Sequence, residues 1–491
     1  MARTSPTQTR VTLAVTAVLI VLGLLALPAQ AFAWGNGVGR SGNTFGTHDW
    51  ILTEANRMAA IQGATWVNAS VAIPVTDDPD TKFRDTKDHA YDRWGKANGN
   101  AQQKVATYYS QAVAYLHAGD IDSASRSLGL LSHYYADVNN PLDTDNIAAE
   151  TRMHSRYDTA VDSHLKAVGM NRAWVTYDGY SHVGDPSALT VASARSAHGS
   201  YTTLVGQYNR RGYSNSTVRT ITSRSINRAT NGLADIIVSI QEDAALVSSS
   251  PEVHAHQGIT TDGSDTSDYW IVHTTWIQRY TSSWESSATA SKPFNDEDGT
   301  LHEGFTSDAH LGTGAYYRSA DATGGKLYVP AENWSPPTFD NQHIFVFDAL
   351  TLKRERAVAT SQTHEVAAIT VAPDSDGKDV LYVASYRDSS KLFRYDLETL
   401  AYIDSMPLKP VPGSGIQGLT YRDGTFFLST GLNQDLGRIY TADRSGNTRL
   451  IFTSTLAGWH EGIAWRNKLL LWLVDHPYVA SKVRFFRLPG F

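Results

Sequence analysis

The chain contains no cysteine among its 491 residues. That excludes disulfides, cysteine-based zinc fingers, iron–sulfur clusters and thiol nucleophiles together, so any metal must be held by nitrogen and oxygen ligands. There is no excess of positive charge either. With 42 Lys+Arg against 49 Asp+Glu the formal net charge is −7, which argues against a protein built to coat nucleic acid. No G-x-S-x-G elbow and no P-loop occurs, which disfavours a serine hydrolase and a P-loop nucleotide hydrolase. What is present is a composition of 41% hydrophobic and 19% charged residues, as in a folded protein. The length suits about two to four domains. Histidine and tryptophan are plentiful, at 17 and 12.

Residues 1–33 read as a signal peptide. Arg3 and Arg10 give a basic start, Val11–Leu27 is almost wholly apolar, Pro28 breaks the run, and Ala31-Phe32-Ala33 has the small-x-small form of a cleavage site. A membrane anchor is the competing reading, since the run is near the lower limit for a span. Cleavage after Ala33 predicts a secreted, extracellular chain of net charge −9 whose first residue is Trp34. A free α-amino group beside its own carbonyl is a good bidentate chelate, and it exists only once the leader is cut.

The rest divides into two halves. Residues 34–247 carry helical periodicity over His48–Ile61 (with Thr47 as N-cap), Ala101–His117, Ile121–Val138, Ile147–Val168 and within Pro186–Tyr208 and Ser216–Val247. A polar loop spans Ile73–Gly99. Residues 248–255, beginning Ser248-Ser249-Ser250-Pro251, read as a linker.

Beyond the linker, over 256–491, short alternating strands take over, such as Lys326–Val329, Ile344–Phe347 and Val380–Val383. A phrase recurs there at His256-Gln257-Gly258, His310-Leu311-Gly312, His364-Glu365-Val366, Ile416-Gln417-Gly418 and His460-Glu461-Gly462. Four strands per unit of about 45–55 residues is the blade of a β-propeller, and five copies predict five blades, with a solenoid as the alternative. The recurring histidines suggest either a ring of ligands at the axis or hydrogen bonds between blades. Ile416 in one copy favours the second.

Chemistry concentrates in the helical half. His133 with Asp137, and His154 with Asp158, stand four apart, which puts each pair on one helix face. His48 opens the first helix. Asp77 and His89 lie in the polar loop with Asp78, Asp80, Asp85, Asp88 and Asp92. Each pair alone is commonplace. Together they suggest a multinuclear site of imidazole and carboxylate, compatible with zinc, manganese or iron. Clustered divalent ions suit phosphoester hydrolysis, because they activate water and neutralise charge on phosphate oxygens.

In order and spacing, Trp34, Thr47-His48-Asp49-Trp50-Ile51, Asp88-His89-Ala90-Tyr91-Asp92, His133-Tyr134-Tyr135-Ala136-Asp137-Val138-Asn139-Asn140-Pro141 and His154-Ser155-Arg156-Tyr157-Asp158 resemble the bacterial zinc-dependent phospholipase C family. That family shares its helical tri-zinc fold with single-strand-specific nucleases. The resemblance covers residues 34–170 closely and extends to about 247. It implies up to three zinc ions. Trp34, through its amine and carbonyl, and His48 would hold one. Asp137 would bridge it to a second on His89 and His133. Asp77 would be a ligand of that second ion or the base that orients water, with Asp78 as its competitor. His154, Asp158 and Asp143 would hold the third. Asp143 stands where the family usually has His, and Asp158 where the lipases usually have Glu.

The expected fold is therefore multidomain α plus β: an all-α zinc phospholipase C-like domain followed by a five-bladed β-propeller. The expected function is a secreted phospholipase C cleaving the glycerol-side phosphodiester of phosphatidylcholine-type lipids to diacylglycerol and a phosphorylated head group. Its partner would be a phospholipid or membrane surface, with no nucleic acid. Tyr91, Trp94 and Tyr135 are candidates to line a choline pocket, although packing explains each as well. The 14-residue gap from Trp34 to His48 is close to the phospholipase family's pattern, so the resemblance implies the lipid enzyme rather than a zinc nuclease. The other alternative is a surface-binding protein with a degenerate enzyme domain.

Overall fold

The computed structural model describes Trp34 and residues 45–83, 88–91, 99–145, 151–168, 174–254, 257–320, 324–335, 338–362, 364–413, 415–431, 436–476, 479–488 and 490–491. The leader, Asp85, Asp92, Trp94 and His256 lie outside them. A helical region is followed by a five-bladed β-propeller. Among the described residues no helix is long and apolar enough to cross a membrane.

Among the described residues seven helices of more than two turns build the first part: α1 (Thr47–Ile61), α2 (Ala101–His117), α3 (Ile121–Asp137), α4 (Thr151–Ala167), α5 (Pro186–His198), α6 (Tyr201–Arg211) and α7 (Ser216–Ala245). Their starts follow capping chemistry. Asp120 accepts Ser123 N at 3.0 Å, Asp185 accepts Ala188 N at 3.0 Å with Pro186 behind it, and Asn215 accepts Thr217 N at 2.8 Å. The cap of α1 is Gly46 rather than Thr47, because the Asp49 carboxylate reaches back to accept Gly46 N at 2.8 Å. The stretch expected to hold one helix after Pro186 holds two, α5 and α6, parted at Gly199-Ser200. Helix α7 is the spine. It is buried along most of its length and packs on α1, α2, α3, α5 and α6.

Each blade is an antiparallel sheet. Blade 1 spans 258–290, blade 2 309–359, blade 3 368–407 and blade 4 416–454. Blade 5 combines Trp459–Arg466, Leu469–His476 and Val479–Phe486 with a fourth strand, Leu246–Ser249, from before blade 1. The register is Leu246 opposite Phe486 and Ser249 opposite Arg484. Ser248 and Ser249, expected in a linker, are thus part of the strand that closes the ring. Closure pairs an edge that would otherwise be open, and because this strand follows α7 directly the helices are anchored to the ring.

The two parts share further bonds. Thr453 Oγ1 donates to Gln62 O at 2.8 Å, Gln241 Nε2 to Ile451 O at 3.2 Å, and Arg487 N to Ala245 O at 2.8 Å.

The three repeated histidines among the described residues share no common position. The innermost strands meet at Gly258, Thr313, Ala368, Gly418 and Gly462. His460 stands two residues ahead of this ring, His310 three and His364 four. A one-residue slip turns a strand side chain to the opposite face. His460 is buried against Trp472, 4.7 Å between centroids, with neither ring nitrogen hydrogen-bonded. His310 stacks on Trp334, and His364 lies 3.8 Å from Asp388. Among the described residues these three form neither a ligand ring nor the expected hydrogen bonds between blades.

Candidate metal centre

Helix α3 supplies the middle of the site. Its caps and buried stripe, including Leu128, Leu131 and Tyr135, seat it in the core, and the four-residue spacing then aims His133 and Asp137 at one point. Helix α1 presents His48 and the segment 88–91 presents His89. The three imidazoles surround the Asp137 carboxylate. His48 Nε2 lies 3.2 Å from Asp137 Oδ1. His89 Nδ1 lies 2.8 Å, and His133 Nε2 3.2 Å, from Oδ2. His48 and His133 stack at 4.3 Å, and His133 Nε2 stands 2.9 Å from His89 Nδ1.

Two groups of three have ligand atoms all within 4.8 Å of one another: His48, His133 and Asp137, and Asp80, His89 and His133. Asp80 Oδ1 is 3.6 Å from His89 and 3.7 Å from His133. Asp80 was legible only as one acid among several in the loop. A tight turn over 73–83 brings it in where Asp77 was expected. Asp78 turns away to pair with Lys82 at 2.8 Å and Arg126 at 3.2 Å. Asp77 sits just outside both groups, with the Thr76 hydroxyl 3.3 Å away. That hydroxyl donates to Asp49 Oδ1 at 2.6 Å.

A third cluster adjoins the first. His154 Nε2 lies 3.4 Å from Asp143 and 3.5 Å from Asp158, and Asn140 donates to Asp158 at 3.3 Å. Asn140 was missed by the pattern. The turn that carries Asp143 is braced by Arg228, which donates to Asn139 at 2.7 and 3.0 Å. Tyr91 N donates to Asp143 O at 3.2 Å, which couples the His89 segment to that turn.

Trp34 is fully buried in the helical core, its side chain beside Tyr157. Tyr135, a candidate for a choline pocket, points instead into the seam with α7. Its hydroxyl meets Ser193 Oγ at 3.0 Å and fills the space beside Gly232.

Burial and the neighbouring imidazoles set the charge state of these carboxyls. Burial pushes the Asp158 carboxyl well above its ordinary range and raises Asp143. Burial, aided by the Asp49 charge, raises Asp77 to about 7. Burial also opposes ionisation of Asp137, but His133 and His48 outweigh it and hold that carboxyl low. Among the described residues no lysine or arginine pairs with Asp77, Asp80, Asp137, Asp143 or Asp158. Buried oxygens on Asp143 and Asp158 lack hydrogen-bond partners. Imidazole and carboxylate donors in this arrangement could hold a metal ion, and they fit zinc.

No family model matches the chain, and no curated relative matches it. Several solved structures are similar. The alpha-toxin of Clostridium perfringens from avian strain SWCP is 11% identical, over 85% of this chain and 96% of that one, with a TM-score of 0.33. The Clostridium absonum alpha toxin is 14% identical, over 65% and 98%, at 0.32. The glutaminyl cyclase of Myxococcus xanthus is 12% identical, over 50% and 95%, at 0.35. Likeness at this level assigns neither fold nor chemistry to this chain.

Proposed function

We propose that this chain is an exported zinc-dependent phosphoric diester hydrolase of the phospholipase C type, cleaving the glycerol-side phosphodiester of a phosphatidylcholine-type lipid. The observation that carries the reading is the convergence of His48, His89 and His133 on Asp137 in a buried pocket. His48 and Asp137, with the Trp34 amine and carbonyl of the cleaved chain, would hold one ion. Asp80, His89 and His133 surround the place of a second, next to the Asp137 carboxylate. Asp143, His154 and Asp158 would hold a third. When bound, zinc supplies Lewis acidity that polarises phosphoryl oxygens and makes water nucleophilic near neutral pH.

The chain's own groups do the positioning. Asp137 holds imidazoles from three separate segments in one orientation. Thr76 and Asp49 lock the turn that carries Asp77, and Asp77 orients the attacking water and takes its proton. The Arg228 brace keeps Asp143 facing His154.

The test is a zinc-loaded chain beginning at Trp34, assayed on phosphatidylcholine micelles and on single-stranded DNA, with products identified. Diacylglycerol and phosphocholine are expected. Cleavage of DNA alone would overturn the lipid assignment in favour of a nuclease. Fewer than two tightly bound zinc ions per chain would overturn the hydrolase.

A further inference from the structure

Asn140 is fully buried just beyond the end of α3, and its polar groups tie together three segments that carry candidate ligands. Its backbone N donates to Asp137 O at 2.8 Å, and its carbonyl accepts Asp143 N at 3.1 Å. Its side-chain Oδ1 accepts Leu142 N at 3.2 Å and so caps the short turn Pro141–Thr144, on which Asp143 rides. That bond fixes which way the amide faces. With Oδ1 held by a backbone N–H, Nδ2 is directed to the other side, toward α4.

There Nδ2 donates to Asp158 Oδ1 at 3.3 Å and stands 3.4 Å from His154 Nε2. The two oxygens of Asp158 are thereby made different. Oδ1 is engaged by the amide. Oδ2 is buried without a hydrogen-bond partner and lies 3.5 Å from His154 Nε2. Asp143 meets the same nitrogen through Oδ1 at 3.4 Å. Ligands held at about 2.1 Å around a tetrahedral zinc ion stand about 3.4 Å apart. Each carboxylate therefore meets His154 at the separation of two donors that share an ion.

The preceding residue shows that this is particular to Asn140. Asn139 turns its amide back to Tyr135 O at 2.8 Å and accepts Arg228 Nε into Oδ1 at 2.7 Å. Asn139 fastens the turn to the helical scaffold, and Asn140 faces the donors.

We propose that Asn140 is a positioning residue of the third cluster: its amide N–H sets Asp158 to bind an ion through Oδ2 alone, while its amide oxygen holds the turn that presents Asp143. The inference rests on the reading of this cluster as a metal centre and adds to it the tie between two ligands from separate segments. A neutral donor suits the place. A lysine or arginine would compete with the ion, and a third carboxylate would add to the charge that burial already opposes. Donors that orient metal ligands in this way are worth about 10–100-fold in metal affinity.

The test compares the zinc-loaded chain beginning at Trp34 with its Asn140→Ser variant. Each is dialysed against graded chelator, its zinc counted and its melting followed. Serine keeps a cap for Leu142 N but has no amide to reach Asp158. The variant is expected to melt within about 2 °C of the wild type. Two of its ions should be held as in the wild type, and the third should leave at about 10–100-fold lower chelator strength. In an Asp158→Asn background the serine substitution should add little further loss, because the two residues act as one unit. A purely capping role predicts that Asn140→Ser holds the third ion like the wild type, and that result overturns the proposal. Equal weakening of all three ions overturns it too, as does a wild type that holds two ions and takes up no third. A wild type with fewer than two ions ends the zinc reading itself, and this inference with it. Should Asn140→Ser fail to fold, Asn140→Gly, also tolerated at an N-cap, replaces it with the same outcomes.

Discussion

Glu242 and Thr455 join the two halves of the molecule: Glu242 Oε1, near the end of α7, accepts Thr455 N at 2.6 Å. The same carboxylate accepts Ser454 Oγ at 2.9 Å and, through Oε2, Tyr180 Oη at 2.7 Å. Glu242→Ala would strand several buried donors at once. The expected cost is about 3 kcal/mol, read by denaturant unfolding. The helical signal should separate from the propeller signal, whereas the wild type is expected to give one transition.

His182 faces the same carboxylate, with Nδ1 3.2 Å from Glu242 Oε2. The hydrogen bond to Glu242 raises the imidazole above its ordinary 6.5. Burial opposes ionisation of Glu242, but bonds from His182, Tyr180 and the propeller outweigh it and bring it below 4.5. The His182 contribution to stability is fully present below pH 6.5 and fades as pH rises through the raised value. The Glu242 contribution is present above pH 4.5 and fades as pH falls through the lowered value. Melting temperature should therefore decline on the alkaline side, and His182→Gln should flatten that decline while leaving the acid side. An unchanged alkaline slope would refute the assignment.

Gly129 sits inside α3, where helix propensity alone favours alanine by about 1 kcal/mol. Packing reverses the sign. A Cβ there would fall 2.2 Å from Ala72 O and 2.5 Å from Val75 Cγ2, on the turn that leads to Asp77 and Asp80. Gly129→Ala should destabilise by about 1–3 kcal/mol and weaken zinc retention, measured by thermal melts and metal analysis after dialysis.

The three acids of the loop should separate in function. Asp80→Asn is expected to lose one zinc per chain. Asp77→Asn should keep its metal yet lose rate by about 10²–10⁴-fold. Asp78→Asn, whose side chain serves Lys82 and Arg126, should leave the rate within a few-fold. Zinc stoichiometry beside turnover on phosphatidylcholine checks all three, and full zinc in Asp80→Asn would contradict the geometry described above.

Much of this molecule was local and so legible from order alone. A helix places residues four apart on one face wherever it folds, so His133 with Asp137 and His154 with Asp158 could be paired before any tertiary contact was known. The period change near residue 248 and the recurrence of four-strand units likewise announce helices and then blades. Contacts between distant segments left no such trace. Asp80 rather than Asp77 meets His89 because a short irregular turn sets the direction of each side chain, and its chemistry has no period. Leu246–Ser249 closes blade 5 because an open sheet edge some 230 residues later needs a partner. The order of residues determined the elements and the donor chemistry; only packing in three dimensions decided which donors meet, because burial and charge act through space rather than along the chain.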